Sequence, residues 1–418
     1  MTVNIKQLEK QKVLASPVGE PKLRFPGFSG AWKEEKLGEI AEFWNGKAHE
    51  QDISTNGKYI VVNSKFISQN GDVKKYSDSQ LSPLKKDDIA VVMSDIPGGK
   101  AIGKCFLVDK ADAYTLNQRI GGIKSKEIIS PFLIRILSRN KYFIKFDNGV
   151  SQTNLRKDEI LKCPVIFPSV SEQQKIADFL ESVDKQIENL RTQKDFLNVY
   201  KKGIMQKIFS QEIRFKDEGG KNFPKWEEKK LKKVVIFSRG SLLSKTDLKI
   251  DGKYKCIHYG ELFTEYEEII TNAKSRTDLD TGVNGEIGDI LMPTSDVTPQ
   301  GLAKASSLQI NGVKLGGDIN ILRPNPDINS ILLSYLLNCQ KKKILKIVSG
   351  STVRHVYSKD LGELKYYLSS NKKEQQKIAD FLISLDSLIK SKQQQITEAE
   401  QWKKGLMQGL FVQKYESE

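Results

Sequence analysis

The sequence predicts a mixed α/β chain: two globular domains separated by two long helices that form an intramolecular antiparallel coiled coil. Three observations carry that prediction. The nonamer EQQKIADFL stands at residues 172–180 and again, unchanged, at 374–382. Behind each copy runs a proline-free stretch with apolar residues at heptad spacing. Ahead of each lie short apolar runs broken by Gly, Asn and Asp, the pattern of half-buried strands.

A chain of 418 residues exceeds one ordinary core and calls for several folding units. Hydrophobic residues at 38% and charged residues at 28% fit a globular chain, and no apolar run reaches the length of a membrane span. The opening MTVNIKQLEKQKVLASPVGEP lacks the apolar centre of a signal peptide, so a cytoplasmic location is expected. Four scattered cysteines and three scattered histidines give neither a CxxC pair nor a metal cluster. Isolated thiols, surface imidazoles and no metal site are the expectation. Lys plus Arg outnumber Asp plus Glu by 67 to 52, a net charge of +15. That excess suits a polyanionic partner, since each cation near a phosphate releases a counterion; a merely basic protein is the plainer reading.

The elements follow in order: an N-terminal segment (1–22), a first domain (23–170), a first long helix (171–210), a second domain (211–370), a second long helix (371–412) and a tail (413–418). In the first domain KYIVVNSKFI (58–67) and KCFLVDK (104–110) read as strands, while PFLIRILSRNKYFIKF (131–146) has helical spacing. In the first long helix Ile176, Leu180, Val183, Ile187, Leu190, Leu197, Ile204 and Ile208 recur at steps of three and four, interrupted by Lys194 and Lys201. Ile378, Leu382, Leu385, Ile389, Ile396, Ala399, Leu406 and Leu410 occupy the same slots in the second. Two such seams in one chain can bury each other, and Ile176 to Ile208 would make a rod of roughly 50 Å. Ser171 and Asn371 are the expected N-caps.

The duplication extends through the domains. Trp32-Lys-Glu-Glu-Lys-Leu37 answers Trp226-Glu-Glu-Lys-Lys-Leu231; DDIAVVMSD (87–95) answers GDILMPTSD (288–296); DNGVSQTNLRKDEI (147–160) answers VSGSTVRHVYSKDL (348–361). The helices are close copies and the domains are not. Helices that meet one kind of partner twice, carrying domains that meet two different targets, would leave this record.

On these residues the chain resembles the specificity subunit of type I restriction–modification systems, the HsdS family. EQQKIADFL with its heptads, the helix ends KKGIMQKIF and KKGLMQGLF, and the openings at Trp32 and Trp226 carry the likeness, from about Leu23 to Phe411. The resemblance implies two target-recognition domains, each reading half of a split, asymmetric sequence in double-stranded DNA. It implies no catalytic centre and no cofactor in this chain. It also implies docking of two methyltransferase (M) subunits that methylate adenine with S-adenosylmethionine, and of restriction (R) subunits that use ATP and Mg2+. The rod would set the spacer between half-sites.

The residues agree. There is no GxxxxGK[ST], no GxGxxG and no Asp/Asn-Pro-Pro-Tyr/Phe motif. Pro97-Gly98-Gly99-Lys100 has the wrong spacing for a phosphate loop and reads as a tight turn. No catalytic residue is assigned. An interaction scaffold that binds nucleic acid without sequence choice is the alternative, and a stand-alone restriction enzyme is a third reading.

Base reading needs side chains that offer paired hydrogen-bonding atoms from loops. In the first domain these are Asn63, Lys65, Ser94, Lys100, Asn117, Gln118, Arg119, Gln152, Asn154 and Arg156. In the second they are His258, Tyr259, Ser295, Thr298, Gln300, Thr352, Arg354, His355 and Tyr357. Asn117–Arg119 could equally be a turn with its amides on backbone, and Asp95 and Asp296 are expected to brace their loops. Lys229-Lys230, Lys232-Lys233 and Lys341-Lys342-Lys343 could face phosphates or solvent. Glu172, Gln173, Gln174, Glu374, Gln375 and Gln376 are expected on outer helix faces, as docking points for partner subunits, or else in capping.

Overall fold

A computed structural model describes residues 19–412. Most of the N-terminal segment and the tail 413–418 lie outside the described residues. The chain divides into two compact units, one of residues up to 189 with those from 395 onward, the other of residues 190–394. Each unit therefore holds one strand-rich domain and a half of each long helix, Val170–Phe209 and Lys372–Leu410.

In the first unit, Ile89–Val92 is buried at all four positions because it lies between two antiparallel neighbours, Ile120–Ser125 and Cys105–Leu107. Ala41–Asn45 completes this four-stranded sheet on the far side of Ile120–Ser125. A second sheet, in the order Ile53–Ser54, Tyr76–Ser77, Tyr59–Val62, Tyr114–Leu116, pairs its last two strands in parallel. The run 58–67 changes character midway: after Val62 the Asn63 side chain accepts the Phe66 N–H and starts a short helix, Ser64–Ser68. The run 131–146 is two helices, Ser130–Leu137 and Lys141–Ile144, broken where Arg139 takes a positive φ of 57°.

The second unit repeats this plan with two five-stranded sheets. Ile290–Pro293 stands where Ile89–Val92 stood, between Ile319–Pro324 and Ser306–Leu308. Within each unit a glycine at the same structural place lets two backbone segments meet. A Cβ on Gly46 would lie 2.0 Å from the Asn117 carbonyl oxygen, and one on Gly240 would lie 2.1 Å from that of Gly316. No other residue permits that backbone approach.

Each domain core continues onto its helix halves. In the first unit Trp32 packs against Phe132 and against Phe411 from the end of the second long helix. In the second unit Trp226 packs against Phe209 from the end of the first. Ile176, Leu180, Val183 and Ile187 are buried in one core, and Ile378, Leu382 and Leu385 in the other. Within the second unit the helix halves run antiparallel: Lys194 bonds Gln393 at 2.9 Å, and Lys201, seven residues on, pairs with Asp386, seven residues back, at 2.6 Å.

The repeated Glu-Gln-Gln faces inward, contrary to the sequence expectation. Glu172 is 2% exposed and takes two bonds from Arg24, each of 2.9 Å; Glu374 is 1% exposed and takes bonds from Arg214, Trp226 Nε1 and Ser369. Gln173 accepts the Ile129 N–H and donates to the Pro168 carbonyl, and Gln375 likewise joins Asn329 N–H to the Ser369 carbonyl. A charge this deep needs a partner, and the Leu-Arg-Phe and Ile-Arg-Phe triplets at 23–25 and 213–215 supply it. Only Gln174 and Gln376 remain exposed, bonded to Asp178 and Asp380. Asn371 does cap the second long helix, through the N–H groups of Lys373 and Glu374. Ser171 does not cap the first; that helix begins at Val170 and Ser171 lies inside it. His49, expected at the surface, is buried between the Lys47 carbonyl and the Thr115 hydroxyl.

Candidate nucleic-acid interface

The Ser-Asp pairs do not end the apolar strands; each forms a separate two-residue ribbon. Ser94–Asp95 pairs antiparallel with Thr153–Asn154, and Ser295–Asp296 with Arg354–His355. One ribbon thus unites two stretches that the sequence keeps nearly sixty residues apart. The aspartates brace their loops, as expected. Asp95 accepts the N–H groups of Ile96, Ala101 and Ile102, and Asp296 those of Val297 and the Thr298 hydroxyl.

In the first unit the ribbon borders a cleft of roughly 360 Å³ lined by Asn63, Ser64, Ser94, Asp95, Ile96, Asn117, Gln118, Arg119, Ile120 and Gln152. Six residues picked from four distant stretches meet there. Gln152 donates to the buried Ser94 hydroxyl at 2.7 Å, and the Gln118 amide donates to Glu50. Asn117–Arg119 is a turn, with Arg119 at φ 64° and its carbonyl accepting the Met93 N–H. Yet its amides do not cap backbone: Asn117 Oδ1 is buried without a hydrogen-bond partner. An acceptor left so costs about 1–3 kcal/mol. Lys65, Lys100, Asn154 and Arg156 are exposed and do not line the cleft.

The second unit keeps the frame and changes the contents. His258 follows the strand Tyr254–Ile257 as Asn63 follows Tyr59–Val62. Its Nδ1 accepts the Gly260 N–H at 3.2 Å, and burial holds the imidazole below its usual range, so the ring is neutral near pH 7 with its proton on Nε2. The Tyr259 ring lies 4.5 Å from it, tilted by 52°. Where the first unit has Asn117-Gln118-Arg119, the second has Gly316-Gly317-Asp318, and Asp318 keeps the positive φ at 59°. Arg239 donates to Asp318 at 2.6 Å and to Thr294 at 3.5 Å. Sequence reading missed both Arg239 and Asp318; the signal was the Arg239-Gly240 pair, the counterpart of Asn45-Gly46. Ser295 faces His355 across the ribbon, and the His355 and Tyr357 rings stack at 5.9 Å. Thr298, Gln300, Thr352 and Tyr357 are exposed around it.

Of the run lysines, Lys229, Lys230, Lys232 and Lys343 have partners within the chain. Lys230 and Lys232 both pair with Glu363, which their bonds hold down at about 2, while Lys229 pairs with Glu227. Lys343 donates to the Lys365 carbonyl. Among the described residues no three His, Cys, Asp or Glu side chains form a metal site, and no helix is long and apolar enough to cross a membrane.

Comparison with known proteins agrees with this duplicated frame. Residues 30–198 and 224–401 each match the family described as Type I restriction modification DNA specificity domain. The type I restriction enzyme MjaVIII specificity subunit of Methanocaldococcus jannaschii is 24% identical over 422 residues, covering 92% of each chain. A solved type I restriction-modification S subunit from M. genitalium superposes with a TM-score of 0.59 at 19% identity, covering 94% of this chain and 100% of that one. A chain from a structure of complex assembly and conformational transition in a type I R-M system gives 0.57 at 15% identity, covering 90% and 96%.

Proposed function

The chain belongs to the family of type I restriction modification DNA specificity domains, and from that premise we propose how it works as the specificity subunit of such a system. It reads a split, asymmetric site in double-stranded DNA, one half per strand-rich domain, and directs adenine methylation and restriction by partner subunits. The chemistry belongs to those partners: two methyltransferase subunits with S-adenosylmethionine, and restriction subunits with ATP and Mg2+. This chain supplies recognition and carries no catalytic centre.

The observation that carries the reading is the pair of ribbons: one frame, filled with Asn117, Gln118, Arg119 and Gln152 in the first unit and with His258, Arg239, Asp318, Arg354 and His355 in the second. Amides offer a donor and an acceptor together, the pattern that suits adenine. Arginine and neutral histidine suit guanine. Lys65, Lys100, Asn154 and Arg156, away from the cleft, are suited to phosphate contacts that set register. Partner docking falls to exposed positions on the long helices, with Gln174 and Gln376 the part of the repeated motif still available.

A map of adenine methylation across the host genome, with and without this gene, tests the reading. Loss of methylation at one split, asymmetric motif is the expected result. Survival of every methylated motif in cells that express the complex would sink it.

A further inference from the structure

We propose that Ile96 and Val297 are base-contacting residues, one for each half-site, each packing against the 5-methyl group of a thymine in the major groove; this rests on the recognition reading above. The two side chains are 70% and 71% exposed. Each stands immediately after the Ser-Asp strand of its ribbon, the same structural place in both units. A single exposed aliphatic residue is ordinary. Here the same kind of side chain recurs at one place while its neighbours change: Pro97 against Thr298, and Gln152 against Val353.

Both tips are held for contact rather than left loose. The Gly99 N–H bonds the Ile96 carbonyl at 2.9 Å across a Pro97-Gly98 turn, with Gly98 at the positive φ of 64° that such a turn requires. The Asp95 carboxylate fixes that loop from inside through the N–H groups of Ile96, Ala101 and Ile102. Asp296 does the same for Val297, at 2.7 Å from its N–H. Branching at Cβ stiffens both side chains, so little entropy is lost when they seat.

Position selects the partner. Ile96 lines the cleft with Ser94, Arg119 and Gln152, groups suited to base edges. An aliphatic side chain gains nothing beside a phosphate. Among base edges in the major groove, the thymine methyl is the apolar feature it can cover.

The test uses the full chain assembled with its methyltransferase partners and a duplex carrying the mapped site. Each thymine in turn is replaced by deoxyuridine, which removes only the methyl group. Wild-type affinity should fall about three- to fivefold at one position in each half, the worth of one buried methyl. Ile96→Ala should weaken binding by a similar factor and become indifferent to uridine at the first-half position alone. Val297→Ala should do the same in the second half. Both sites are exposed, so unchanged melting of the variants will establish that they fold.

Additive effects at every position, or alanine variants that bind as wild type, would overturn the assignment. So would a half-site lacking any A·T pair. If Ile96→Ala weakens all duplexes equally, and 2-aminopurine placed in the first half brightens only with wild type, the side chain inserts between bases and the methyl contact is refuted. A wild-type complex that does not prefer the mapped duplex to a scrambled one removes the recognition reading itself, and this inference with it.

Discussion

The two units agree at the root of their long helices and differ at their clefts. At the root, Arg24–Glu172 in one unit matches Arg214–Glu374 in the other, and Gln173 and Gln375 tie helix to domain through the same pair of bonds. About three turns further along each helix, Asp184 is held by Arg135 and Lys403, as Asp386 is by Tyr335 and Lys201. At the cleft, three side chains in one unit are replaced by two glycines and an aspartate in the other. Buried charges tolerate few alternatives, because removing either partner strands the other; exposed loop groups answer only to what they meet. The repeated nonamer is thus a seat for the domain.

The comparison is broken hardest at the root. Glu172→Ala leaves the Arg24 guanidinium without its carboxylate, and Glu374→Ala strands Arg214, Trp226 and Ser369 together; each variant should lose about 3 kcal/mol or more in urea unfolding. If Glu172→Ala unfolds at the wild-type midpoint, the seat is not what holds the first domain. The next effect lies about three turns along the helix. Lys201 is 14% exposed against 30% for Lys403, so Lys201→Met should cost about 1–3 kcal/mol and Lys403→Met visibly less.

Lys201 also carries a pH signature. Burial alone would lower its pKa, but Glu268 and Asp386 together outweigh burial and leave it raised. Its folded-state pKa exceeds the unfolded one, so its contribution is complete below the ordinary lysine range and fades only as pH rises through the folded value. The wild-type minus Lys201→Met difference should stay constant through neutral pH and shrink only in strongly alkaline solution.

Replacing Asn117-Gln118-Arg119 with Gly-Gly-Asp should leave urea unfolding nearly unchanged, because the second unit builds the same turn from those residues. It should cost about 1–3 kcal/mol of DNA affinity per lost base contact and alter methylation in one half of the motif, sparing the other. A motif changed in both halves would refute the division of labour. The smallest effect belongs to Gln174→Ala and Gln376→Ala, exposed helix positions where stability should move by less than about 0.5 kcal/mol.

Periodicity made the helices and most strands legible. Heptad spacing marked both long helices, and the matched runs DDIAVVMSD and GDILMPTSD contain the strands Ile89–Val92 and Ile290–Pro293, each buried at all four positions. The polar residues misled at the same place twice. Glu172 and Gln173 look like a solvent face; Arg24, 148 residues away in sequence from Glu172, makes burial of that carboxylate favourable, and the Ile129 N–H and Pro168 carbonyl do so for the Gln173 amide. The cleft was half legible: residue types picked out Asn63, Ser94, Asn117–Arg119 and Gln152, yet nothing local said that they converge.

The sequence by itself determined the duplication, the two long helices, the mixed α/β class and the residue types open to base reading, all of them properties of spacing and composition within one segment. Tertiary structure alone decided which polar groups face inward, which loops share a cleft, and where Arg239 and Asp318 stand. Those outcomes depend on pairings across tens to hundreds of residues. A local pattern records the shape of an element; the partner that makes burying a charge or aiming a loop favourable is fixed only when distant segments pack.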